Sequence, residues 1–349
     1  MLEKLLDRFR EKGPSRPRTK TETEKRRRLA IVLVIVVAVL ASVAVVGYGY
    51  YDTNVRPWNR RILKVNGTVF DMRDFVKALR INSATSADYA EYVISSMEDN
   101  EISRQRLKQD FDVVISDEAV QAKLREALVS AGRISDNATD DEFEQTCRDV
   151  GKALKENLGI SLNDYKKLAI EPQLIREELQ KQIGDQDYPS TDNFEHAQVQ
   201  ALLVAGADAA TVLRDRWGAG EDFDTLVDED SVSESLGHIT ADNITMEWVA
   251  KGIQSEAFDN CTFSATPGVV SDPIQDSDST GSYWLIRVVA RESRSLSVSD
   301  RDTLVGEAYS KWLEEASDPE NNDIHYYLKD EGGTAKLNWA LDHVAVSTS

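Results

Sequence analysis

Nineteen consecutive residues, Leu29 to Gly47 (LAIVLVIVVAVLASVAVVG), carry no charge and a single hydroxyl. At about 1.5 Å per residue, a helix over this stretch nearly crosses a hydrocarbon core of about 30 Å. A buried core helix is rarely apolar on every face for so long, so the run is expected to be a membrane anchor. Tyr48, Tyr50 and Tyr51 extend the span to residue 51 and suit the water interface as an aromatic belt. The fifteen residues before the run hold seven Lys/Arg, ending in Lys25-Arg26-Arg27-Arg28, and the fifteen after the tyrosines hold four. The positive-inside rule therefore places residues 1–28 in the cytoplasm and everything beyond residue 51 outside it. A cleaved signal peptide is the rival reading, because Ser42-Val43-Ala44 offers small residues at the right spacing. The 28-residue polar lead and the length of the apolar run favour an uncleaved anchor, and no Cys stands there for lipid attachment.

Charge divides the 349 residues in the same way. Residues 1–28 hold eleven Lys/Arg and five Asp/Glu, a net +6, so the rest of a chain with a net charge of −20 carries −26. Such an acidic outer part excludes a nucleic-acid binder, which needs a basic field to neutralise phosphates. Leu2, Leu5, Leu6 and Phe9 share one helical face beside Lys4, Arg8 and Arg10, a pattern for a short helix on the inner leaflet or for a solvated terminus. Gly13 to Lys20 reads as a linker. Cys147 and Cys261 are 114 positions apart with no Cys/His cluster near either, and the four His are scattered, so no metal site and no cofactor is expected. A single Cys147–Cys261 bridge is left open. There is no HExxH, GxSxG, P-loop or complete GxGxxG; Gly218-Ala219-Gly220 only begins the last.

Beyond the anchor the pattern is α+β. Ile62 to Val65, Asn66-Gly67 and Thr68 to Phe70 predict a hairpin, with Asn-Gly supplying the two positive φ angles of a type I′ turn and Asp71 capping a helix. To about Ile183 the apolar residues recur at helical steps: Phe75 and Leu79; Val120, Leu124 and Leu128; Val150, Leu154 and Leu158; Leu174, Ile175 and Leu179. Gly132 to Asp141 reads as a loop, and Ser161 begins a further helix. Gly184 to Asn193 reads as a polar linker between units. After it, Val199 to Val204 and Tyr283 to Val289 read as strands, Ala209 to Trp217 as an amphipathic helix, and Ser299 to Ala316 as a returning helix with Leu304, Ala308, Tyr309 and Trp312 on one stripe.

The segment between the two strands resembles a parvulin-type peptidyl-prolyl isomerase domain. Val199-Gln200-Ala201-Leu202-Leu203-Val204 is similar to the family's first strand, Gly220 to Leu226 to its Gly-Glu-Asp-Phe helix start, and Leu236-Gly237 to its Leu-Gly turn. Pro267 to Ile274 resembles its Pro-Gly-x-x-Ser-x-Pro stretch, and Gly281 to Val288 its last strand. Val65-Asn66-Gly67 and Ile115 to Val120 resemble parts of the helical chaperone module of the SurA/PrsA-type extracytoplasmic foldases, which a segment after the isomerase domain completes. The resemblance covers most of residues 60–316. After the basic cytoplasmic tail (1–28) and the anchor (29–51), it implies a helical chaperone module (52–190), an inserted parvulin-like domain (191–293) and a helical return (294–349). The implied partners are unfolded or nascent exported polypeptides, at a cell membrane crossed by one helix.

The same resemblance locates a departure. Where active parvulins carry His in the first and last strands, this chain has Ala201 and Trp284, and the family's Cys or Asp falls in a shortened loop near Asp230 to Ser233. Prolyl isomerisation has a barrier of about 18–20 kcal/mol, and the paired histidines tune the polar centre that lowers it. Weak or lost isomerase activity is therefore expected, with an active isomerase of altered centre and a non-catalytic envelope scaffold as the alternatives. Met246, Trp248, Phe258, Phe263 and Trp284 are candidates for an apolar peptide-binding cradle, or else are core residues of a small domain. Topology is directly testable. A reporter fused after Ser349 should be active only outside the cytoplasm, and neutralising Arg26, Arg27 and Arg28 should raise the misoriented fraction; full activity of a cytoplasm-only reporter would overturn the charge argument.

Overall fold

The computed structural model describes residues 36–37, 39–223, 225–226, 244–277 and 279–345, with the side chains of 244–246 left out. The tail 1–28, most of the first half of the apolar run, the turn at Leu236-Gly237 and the loop at Asp230 to Ser233 lie outside the described residues. Residues 39–50 are helical with exposed side chains, and no helix among the described residues is long and apolar enough to cross a membrane.

The chain enters its first sheet through β1 (Arg61–Val65), which pairs antiparallel with β2 (Thr68–Asp71). The predicted hairpin forms, but the left-handed φ falls on Asn66 alone, at 53°, and not on Gly67. The reason is a third strand, β7 (Ile324–Tyr326), on the other side of β1. Asn66 N–H donates to the Asp323 carbonyl at 2.8 Å and its side-chain oxygen accepts from Asp323 N–H at 2.9 Å, so the turn is shaped by a partner 257 residues away.

Asp71 caps α1 (Met72–Ile81) as expected, with Asp74 completing a reciprocal capping box. Then follow α2 (Ala87–Phe111), α3 (Asp117–Ser130), α4 (Asp140–Leu158), the short α5 (Leu162–Tyr165), a π turn over Lys166–Ile170, and α6 (Glu171–Asp187). Helix α6 runs four residues into the stretch read as a linker. Gly184 is buried, and a Cβ there would lie 2.9 Å from Val305 Cγ2, so this glycine permits a close helix crossing where the sequence suggested a break.

The second sheet is inserted after α6. It comprises β3 (Phe194–Ala205), α7 (Ala207–Gly218), β4 (Ile244–Ala250), α8 (Glu256–Ser264), β5 (Ile274–Gln275) and β6 (Ser282–Arg294), with strand order β4-β3-β6-β5, all antiparallel. Strand β3 is apolar on consecutive positions because both of its faces are covered. Val199, Ala201 and Leu203 meet Phe258 of α8, whereas Leu202 and Val204 meet Leu213 and Trp217 of α7.

Helix α9 (Val298–Ala316) then returns to pack on α6 and α2, followed by β7 and α10 (Gly333–Asp342). Ala316 and Ala340 lie in the same buried cluster as Ile62, Phe75 and Met97, so the C-terminal segment completes a core opened by the N-terminal one. Strand β7 was not legible beforehand, since three residues carry no periodicity. Both cysteines are free thiols. The inserted unit touches the returning helix at Gly252, whose φ is +94° and whose Cβ would meet Leu304 Cδ2 at 2.7 Å. Gly252→Ala should therefore cost about 1–3 kcal/mol in chemical denaturation, from backbone strain and overpacking together; an unchanged midpoint would show that this contact yields freely.

Candidate functional site

Ala201 and Trp284 come from the two long central strands. Antiparallel pairing sets Ala201 opposite Ile286 and Leu203 opposite Trp284, and these four side chains fall in one buried cluster on a single face of the sheet. The two positions marked by the resemblance therefore do share a face. What they build there is apolar. Ala201 is 0 % exposed, Trp284 5 % and Phe258 0 %, and the Phe258 and Trp284 rings meet edge to face with centroids 5.1 Å apart.

A polar triad adjoins this cluster. Trp284 Nε1–H donates to Asp276 Oδ1 at 3.1 Å, and the Ser255 hydroxyl donates to the same oxygen at 2.7 Å. Asp276 is itself buried. Both donors are thus committed to Asp276 and not free to polarise an imide. Nearby, burial pushes the Cys261 thiol up despite the Ser271 hydrogen bond and Arg291, which keeps it protonated at neutral pH. Burial also pushes the Asp259 carboxyl up against the pull of the Gly252 N–H at 2.5 Å.

The five cradle candidates are only partly brought together. Phe258 and Trp284 are in contact, and Phe263 packs half-buried against the same cluster. Trp248 pairs in register with Gln198 and lies under the Arg294 guanidinium at 4.6 Å, away from that cluster. Met246 lies on β4, and its side chain is outside the described part.

Among the described residues, open apolar space occurs in the helical unit. A cavity of about 670 Å³ separates α3 from α4, walled by Leu124, Leu128, Val150, Leu154, Leu158 and Tyr165. A second, of about 420 Å³, lies between α1, α2 and α6, with Phe70, Ile81, Val93, Met97 and Leu168 in its wall. Its polar edge is ordered. Glu101 accepts from Thr68 Oγ1 at 2.6 Å and from Arg104 Nε at 2.8 Å, and although burial pushes its carboxyl up, these partners and Gln105 hold it below the usual carboxylate range. Sequence reasoning found these helices from their apolar steps but could not find the cavities. An apolar position that lines a gap has the same spacing as one that fills a core.

The Trp284 arrangement can be tested by stability. Trp284→Phe keeps the edge-to-face ring and removes the donor to Asp276, which should cost about 1–2 kcal/mol. Trp284→Ala should cost about 3–5 kcal/mol in urea denaturation. Equal losses for both would mean that the indole hydrogen bond carries the site and the packing does not.

No family model matches the chain. Over 225 residues it is 26% identical to the Foldase protein PrsA of Halalkalibacterium halodurans, a match covering 58% of this chain and 65% of that protein, just under two thirds of the relative's length. Crystal structures of the peptidylprolyl isomerase PrsA from Bacillus cereus and Bacillus anthracis are each 17% identical to it. They cover 81% and 71% of this chain and 99% and 95% of their own, with TM-scores of 0.38 and 0.35. The resemblance read from the residues is thus met by an independent sequence match: this chain is similar to the SurA/PrsA-type foldases.

Proposed function

We propose that the chain is a membrane-anchored extracytoplasmic chaperone of the parvulin foldase class, which holds unfolded exported polypeptides and has weak or no prolyl isomerase activity. The anchor is the apolar run at 29–51, the chaperone module is formed by residues 52–190 with the return 294–349, and the parvulin-like domain is 191–293. The observation that carries the reading is the split helical unit with open apolar cavities, interrupted by a sheet unit, in a chain similar to a PrsA foldase. Apolar walls suit unfolded segments, which expose apolar side chains in any order. The −26 outside residues 1–28 repels acidic chains and steers basic ones toward the surface.

The weak isomerase reading rests on chemistry. The Ala201 side chain has no polar atom, and the Trp284 indole N–H donates to Asp276. A proline entering this face would displace packed aromatic area and meet an indole N–H already engaged by Asp276.

Residues 52–349 should delay aggregation of neutral or basic clients without ATP, and should accelerate prolyl exchange little or not at all. Salt should slow capture of basic clients, because exposed charges are screened over about 8 Å at physiological ionic strength. Arg301 of α9 donates to the Tyr188 carbonyl at 2.8 Å, so the two ends of the insertion lie together and residues 194–293 can be excised with the flanks joined. The excised protein should keep most of the aggregation suppression. If it folds and suppresses nothing, the sheet unit holds the clients. Isomerase rates equal to those of an active parvulin would instead establish an altered but working centre, and stoichiometric capture of one envelope protein without aggregation suppression would establish a scaffold.

A further inference from the structure

The apolar helix does not stop where its apolar residues do. Residues 39–50 continue through a π turn (Tyr51–Val55) and helical Arg56 into a 3-10 turn (Pro57–Asn59), so the segment below β1 is one helical rod. Beside the last turns of that rod lies a cavity of about 390 Å³. Asn54, Val55 and Trp58 wall it on one side, and Arg73, Lys77 and Arg80 of α1 on the other.

The three cations fall at i, i+4 and i+7, hence on one face of α1. Lys77 is matched by Asp164 at 2.7 Å. The arginines are not matched in this way. Arg73 donates to the Asn59 side-chain oxygen at 3.1 Å, and Arg80 donates to the main-chain carbonyls of Leu158 (3.2 Å), His343 (2.8 Å) and Val344 (3.2 Å). Among the described residues neither has a carboxylate within ion-pair distance. On the rod, Asp52 and Arg56 cancel each other in a 2.6 Å pair. The cavity is thus a basic recess, with an excess of two guanidinium charges, in an outer part that is otherwise strongly acidic.

Its height matters as much as its charge. From Tyr51 to Val55 the rod rises about 6 Å. The headgroup layer on each side of a bilayer is about 5–7 Å deep. If the tyrosines mark the edge of the hydrocarbon, the recess opens at the level of the lipid phosphates, with the amphipathic Trp58 ring at its wall. Arginine presents a planar fork that matches phosphate oxygens two at a time.

We propose that this recess binds the anionic phosphodiester headgroup of a membrane lipid and thereby sets the angle at which the helical unit stands on the bilayer. The inference rests on the membrane anchoring proposed above. The −26 surface repels an anionic bilayer, so one basic recess at the foot of the unit would hold the base down while the remainder is kept off the membrane.

The full chain in a neutral detergent, mixed with equal phosphatidylglycerol and phosphatidylcholine, should retain phosphatidylglycerol at least tenfold in preference by native mass spectrometry. Arg73→Gln should abolish the preference, and Arg73→Lys should restore it to within about threefold, since Arg73 is exposed and its replacement leaves the Arg80 contacts intact. No preference in the parent chain, or a preference unchanged in Arg73→Gln, overturns the proposal. Calorimetric binding of inorganic phosphate as tightly as phosphatidylglycerol overturns the lipid assignment in favour of free phosphate. Alkaline carbonate extraction of membranes carrying the full chain separates the two readings: release overturns the anchor and this inference together, whereas retention without a headgroup preference overturns this inference alone.

Discussion

Everything in this structure depends on a core that is closed from both ends of the chain. Strand β1 pairs with β2 six residues away and with β7 some 260 residues away, and the Tyr326 hydroxyl reaches back to Glu98 of α2. Burial pushes the Glu98 carboxyl up, against the pull of that hydrogen bond, so the closing contact is a hydroxyl on a poorly solvated acid and not an exposed ion pair. Such a core carries a long-range loop-closure entropy that its buried contacts must offset. The insertion is tolerated because its two ends emerge side by side, where Arg301 holds the Tyr188 carbonyl.

One face of the inserted sheet is filled by apolar residues. An imidazole pair in a buried site needs partners and water access, since an unpaired buried polar group is costly. Ala201 and Trp284 remove that requirement. The indole N–H donates to Asp276, and its ring meets Phe258 edge to face. Apolar packing stabilises this face of the sheet, whereas the helical unit holds open apolar cavities.

Charge organises the molecule on a larger scale. A basic tail precedes the apolar run, an acidic body follows it, and the arginine recess interrupts the acidity where the body meets the rod. Within the helical unit the charges are used locally. Asp164 caps its own helix through Ser161 and also binds Lys77; although burial pushes its carboxyl up, these contacts bring it down to about 2. Because its folded value lies below the unfolded one, that stabilisation is present above about pH 4 and lost as the pH falls toward about 2.

Residues 29–51 read as an anchor because hydrocarbon thickness is a length requirement, and length is linear in sequence. The helices from Phe75 to Leu179 and the strands at Val199 and Tyr283 were equally legible, since a buried face imposes a period of 3.6 or a buried run. The parvulin resemblance also lay in the residues, including the loss of both histidines. Three things were decided only in three dimensions. Gly184 read as a linker and is a close helix crossing, because the partner that requires it, Val305, is 121 positions away. Strand β7 has no pattern of its own and exists because β1 offers it an edge. Of the cradle candidates, Phe258 and Trp284 lie in the core and Trp248 lies under Arg294, because the pleat turns Val249 to the core cluster and its neighbour Trp248 to the other face. Periodicity states which side of an element is apolar; only the tertiary structure states whether that side meets another side chain or an open cavity.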